Sequence, residues 1–111
     1  MYREGKELNE NEFNKVLLDA IDEGLLALGE SVRQAIYWRL ENKYNLKKDE
    51  IINKLNEFDE GLKGLLGVGA KVLLRIIVKR FYEGVGLKFE EKPEWNFKDY
   101  IEYAKKNIAL M

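Results

Sequence analysis

The run from Ala70 to Glu83 reads AKVLLRIIVKRFYE, and it constrains everything around it. Val72, Leu73, Leu74, Ile76, Ile77, Val78, Phe81 and Tyr82 circle most of an α-helix and leave only a narrow polar strip. Such a helix is stable in water only with neighbours on most of its sides. Residues 70–83 are therefore expected to be central, with the other elements packed around them.

Spacings of three and four dominate the rest of the chain too, which points to further helices. Phe13, Val16, Leu17, Ala20, Ile21 and Gly24 form one stripe, extended by Leu28. Asn9 with Glu12 three residues later marks its start, and Gly29 its stop. A second helix follows in SVRQAIYWRLENKYN. There Ser31 and Gln34 fit a capping box, Val32, Ile36 and Leu40 share a face, and Asn45 ends the run.

The third segment, KKDEIINKLNEFDEGLKGLLG, carries Ile51, Ile52, Leu55, Phe58, Leu62, Leu65 and Leu66. It reads as one helix or as two short ones bent near Asn56. Gly61 and Gly64 weaken it by roughly 1 kcal/mol each relative to alanine, and let another backbone approach closely. Gly67 to Gly69 form a turn, and Gly84 and Gly86 bracket the exit of the central helix. Pro93 interrupts the chain. Asn96 and Asp99 then start a last helix over about 96–110, along Phe97, Tyr100, Ile101, Ala104 and Ile108. The expected fold is all-α, a single bundle of five or six helices over residues 9–111 behind a tail of residues 1–8.

The chemical toolkit is sparse. Among 111 residues there is no cysteine and no histidine, so thiolate catalysis, disulfides and the commonest general base are absent. Threonine is missing, and the only serine, Ser31, is already assigned to a helix cap. No enzyme activity, metal site or cofactor is expected. The 19 basic and 20 acidic groups nearly cancel, which removes any global pull toward nucleic acid or an acidic membrane. Their placement is uneven, with residues 1–30 at net −5 and residues 31–82 at net +5. That split fits either head-to-tail association or a mosaic that neutralises itself on folding.

No uncharged apolar run is long enough to span a membrane, and MYREGKELNE lacks a signal-peptide core. The expected location is the cytoplasm. Abundant Lys, Glu and Ile with a single Gln, Gln34, resemble the usage of heat-adapted proteins.

Two motifs invite a phosphate reading. In GVGAK, Gly64 and Gly69 have the spacing of a Walker loop, but Ala70 precedes Lys71 and Val72 stands where a hydroxyl is required. The preceding EGLKGLL reads as helix, whereas nucleotide loops of this kind follow a strand. The second motif is the basic strip Lys71, Arg75 and Lys79, with Arg80 beside it. It suits phosphate contacts in DNA or RNA, or else long cationic stems lying over apolar surface. Trp38, Tyr82, Trp95 and Tyr103 are the candidate partner surface, either for a second copy or for another protein. A third possibility is an apolar-ligand pocket between the aromatics.

The stretches AIDEGLLALGESVRQAIYWRLENKYNLKKDEI, FDEGLKGLLGVGAKVL and FYEGVGLKF resemble a small archaeal family. These are the signal-transduction output domains named after Nitrosopumilus, of the fifth type. The resemblance covers about Leu17 to Phe89, roughly two-thirds of the chain. It implies an all-helical fold and a place in signalling or regulation. It brings no catalytic signature and no site residues to carry over.

Overall fold

The computed structural model describes residues 7–110. Its core element is α4, Gly69–Val85, as the apolar run requires. Ala70, Leu73, Leu74, Ile77, Val78, Phe81, Tyr82 and Val85 are buried along it. Around it lie α1 (Glu10–Leu26), α2 (Glu30–Tyr44), α3 (Leu55–Leu66) and α5 (Phe97–Asn107), with a 3-10 turn over Lys48–Asn53. The chain is an all-α domain, with one addition. Two-residue strands, β1 (Glu7–Leu8) and β2 (Ala109–Leu110), pair in parallel and bring the two ends together. The last helix therefore ends at Asn107 and not near residue 110, residues 7–8 of the expected tail pair with Ala109–Leu110, and residues 1–6 lie outside the described residues.

The α1–α4 seam organises the packing. Gly24 lies against Ile77 and Gly84 against Val16, so the two helices run antiparallel with close contact at both ends. Between them Phe13 meets Phe81 edge to face, with centroids 5.2 Å apart. On the opposite side, Phe58 of α3 tilts against Phe97 of α5 at 5.6 Å. Gly61 and Gly64 do admit a close neighbour, which is the Leu40 and Tyr44 side chains of α2 rather than another backbone.

Several local signals hold. Asn9 caps α1 by accepting from the Glu12 N–H at 2.8 Å, while the Glu12 carboxylate accepts from the Asn9 N–H at 3.0 Å. Asn96 and Asp99 repeat this reciprocal pair at α5. Asn45 closes α2 in the left-handed region at φ 54°, and Gly86 closes α4 at φ 77°. The third segment is split at Lys54, two residues before the expected bend, into the 3-10 turn and α3.

Other expectations need correction. Helix α1 stops at Leu26, three residues before Gly29. Gly29, at φ 112°, is instead the N-cap of α2, which begins at Glu30. Ser31 therefore lies inside the first turn and caps nothing. The Gln34 amide N–H donates to the Glu30 carboxylate. Val72 is 56% exposed, because the side of α4 facing away from α1, α3 and α5 is left uncovered.

Candidate functional site

Helix α2 is the outermost element, with only Ile36 and Leu40 fully buried. At 100° per residue, Ser31, Gln34, Ala35, Trp38 and Asn42 fall on the face opposite these two. None of these five carries a charge, and the exposed Glu41, one turn after Trp38, borders the face on one side. Trp38 stands at the centre of that face and is 65% exposed. Its neighbours one turn back, Gln34 and Ala35, and Ser31 two turns back, are exposed and mostly small. A large ring thus sits beside a shallow small-residue surface on the same helix. Exposed Leu28 and Val32 continue the apolar character toward the N-terminal end of α2.

A polar hub fixes the inner side of this helix. One oxygen of Asp22 in α1 accepts from Arg33 Nη1 at 2.7 Å and from the Tyr37 hydroxyl at 3.1 Å. Lys48 Nζ of the 3-10 turn reaches the same oxygen at 3.4 Å. Arg33 also grips Glu30 with two hydrogen bonds, which fixes its fork. Burial alone would raise the Asp22 carboxyl, but the hydrogen bonds from Arg33 and Tyr37 and the charges of Lys48 and Arg33 outweigh it and hold the group below its ordinary value. The Tyr37 phenol is pushed well up by burial, by the Asp22 charge and by its bond to that carboxylate. Both partners thus favour the ionised Asp22 and the neutral phenol, and α1, α2 and the 3-10 turn are tied at one point.

The four aromatics proposed as surface do not act alike. Tyr82 is core at 2% exposure, and its hydroxyl donates to the Tyr100 carbonyl at 2.8 Å. Its place on α4 faces α5, so Tyr82 is removed from the partner surface. Burial, with Tyr103 and Tyr100 nearby, drives its phenol well above the usual range. Trp95 is half-buried against Tyr100 at 5.2 Å and Tyr103 at 5.4 Å. Tyr103 is 38% exposed at the edge of that cluster. Trp38 is the member of the four that projects freely.

The basic strip is largely engaged within the chain. Arg75 pairs with Glu91 at 2.7 Å, and Arg80 lies 3.6 Å from Glu23. The Lys79 ammonium stands over the Phe89 ring at 5.5 Å. Lys71, Arg75 and Lys79 do lie along one exposed side of α4, while Arg80 turns toward α1. The uneven charge split is partly resolved in the same way, since Asp22 and Glu23 of the acidic third meet Arg33, Lys48 and Arg80 of the basic middle.

Two features escape a reading of the residues alone. The Trp38 face of α2 lies opposite the apolar stripe, where attention does not fall. Asp59 is the other. It is the one charged side chain buried among the described residues. Its signal lay in the spacing, because Asp59 falls four after Leu55 and three before Leu62, on the apolar stripe itself. Searches against family models, curated proteins and solved structures give no significant match.

Proposed function

We propose that this chain is a regulatory interaction module that works by pairing with a second copy of itself through the outer face of α2. The observation that carries this reading is Trp38, 65% exposed at the centre of a helical face formed by Ser31, Gln34, Ala35 and Asn42, with Glu41 at its border. Covering an exposed indole of that size is worth about 3 kcal/mol at roughly 25 cal/mol per Å². A two-fold axis across α2 uses each element twice, seating the Trp38 of either copy over Ala35 and Ser31 of the other. The large ring and the small residues belong to the same face, which is what self-recognition asks. Leu28 and Val32 add apolar area at the rim. The resemblance of residues 17–89 to signal-output domains suits a regulatory role and supplies no site residues.

Native mass spectrometry of the protein at micromolar concentration tests this directly. A species of twice the chain mass, lost on Trp38→Glu while the melting temperature holds, is the expected result. A single-chain mass for the unmodified protein rules self-pairing out.

A further inference from the structure

A second site lies on the other side of the molecule, between α3, α4, the start of α5 and the segment before it. A cleft of about 290 Å³ opens there, at the small end of ligand cavities. Phe89, Trp95, Phe97 and Tyr100 contribute aromatic wall, and Leu74 and Val78 the apolar back. Asp59 also lines it, although it is 4% exposed. One carboxylate oxygen accepts a long bond, 3.5 Å, from the Phe97 N–H at the start of α5. The other oxygen, Oδ1, is buried and receives no hydrogen bond. Its nearest cation is Lys63 Nζ at 3.0 Å, placed by distance but not by hydrogen-bond direction, on a side chain that is 57% exposed.

The Lys63 ammonium is thus the ion-pair partner of this oxygen, but a poorly aligned and largely exposed one, which leaves the buried acceptor short of a well-directed donor. The remaining charges on the lining do not compete for that role. Arg75 is committed to Glu91, and Lys92 lies 3.7 Å from Glu90 and faces the Trp95 ring. Lys71 is exposed at the rim, where solvent screens it. The buried atom belongs to a carboxylate, and two of the rings in the wall, Phe89 and Trp95, already hold the Lys79 and Lys92 ammoniums over their faces, an arrangement that suits cations. An anion would have to approach a buried carboxylate. An ammonium would meet Oδ1 where the Lys63 ammonium now sits as a displaceable internal stand-in.

We infer that this cleft is a binding site for a small organic ammonium with an aromatic or apolar body, anchored by Asp59 and gated by Lys63. The site is separate from the outer face of α2, and either can hold without the other.

The probe is phenethylamine, titrated into the full chain with backbone and indole N–H signals followed by NMR. Its anionic counterpart, 3-phenylpropionate, is run in parallel. Saturable shifts at the Phe97 amide and the Trp95 indole are expected with the amine and not with the acid. Lys63→Met removes the internal competitor and should tighten amine binding about threefold or more. Asp59→Asn should weaken it about tenfold or more. Because Asp59→Asn also disturbs the start of α5, the Lys63→Met result carries the test if that variant fails to fold. Three results overturn the assignment: no saturable shift up to roughly 10 mM amine, tighter binding of the acid than of the amine, or an amine affinity indifferent to Lys63→Met.

Discussion

Gly24 and Ile77 meet across the α1–α4 seam with no space for a side chain between them. A Cβ placed on Gly24 would lie 2.5 Å from Cγ1 of Ile77, which is itself fully buried. Ile77 is branched at Cβ and has few rotamers to retreat into. Gly24→Ala gains about 1 kcal/mol of helix propensity but should lose about 1–3 kcal/mol to overpacking. The expected net result is a protein destabilised by about 1 kcal/mol, and by no more than about 2 kcal/mol, in urea unfolding. A variant as stable as the parent would show that the seam can open at little cost.

Trp38 and Tyr82 should separate cleanly. Trp38→Ala removes an exposed ring and is expected to change unfolding free energy by less than about 0.5 kcal/mol, while abolishing the double-mass species. Tyr82→Ala empties a core position and should cost about 3–5 kcal/mol. Equal losses from the two would place Trp38 in a packed environment and remove the basis for the α2 surface.

The helix starts offer a comparison between two side chains that look alike in sequence. Asn9→Ala breaks a formed capping box and should cost about 1 kcal/mol. Ser31→Ala should be near neutral, within about 0.5 kcal/mol, because Gly29 holds the cap position. Thermal melts of the two variants side by side suffice. A Ser31→Ala loss matching that of Asn9→Ala would place the start of α2 at Ser31 instead.

The Asp22 hub makes a pH prediction. Its folded carboxyl titrates below the ordinary 3.8, so the native state holds the ionised form more tightly than the unfolded chain does. The resulting stability is fully present above that ordinary value and is lost as pH falls through the lower, folded one. Asp22→Asn should therefore cost about 1 kcal/mol at neutral pH, with the gap closing below pH 3.8. Unfolding curves at several pH values measure it. A gap that stays constant into acid would mean that packing, and not the charge of Asp22, matters.

For the basic strip, the internal pairing of Arg75 and Arg80 predicts only feeble attraction to duplex DNA. Fluorescence anisotropy should show no binding at about 150 mM salt, near the physiological level. Tight binding that falls steeply with salt and weakens on Lys71→Ala would revive the phosphate reading.

Much of the fold was legible because it rests on local rules. The apolar run of residues 70–83 announced a central helix, and the Asn9, Asn96 and Asn45 signals act within a single turn of chain. The errors arose where a local rule had a competitor. Ser31 and Gln34 matched a capping box, but glycine one position before Glu30 could adopt φ 112° and start the helix earlier. Tyr82 looked available because an aromatic with a hydroxyl suits a surface as well as a core. Only the arrival of Tyr100 from 18 residues away, accepting its hydrogen bond, decides between them. The charge split left head-to-tail association and a self-neutralising mosaic both open, and folding within one copy sets Asp22 beside Arg33 and Lys48. The Asp59 cleft needed three separated stretches, residues 59–63, 71–78 and 89–100, to converge, and no short window of sequence holds them together.

The parallel pairing of Glu7–Leu8 with Ala109–Leu110 has a kinetic meaning. It closes nearly the whole chain into a loop, at an entropic cost that two residue pairs alone cannot offset. The helices must therefore assemble first and carry the ends into reach, so the pair is a latch that fastens late in folding. For the same reason it should release before the helices do. The amides of this latch are expected to exchange with solvent well ahead of those in the α1–α4 seam.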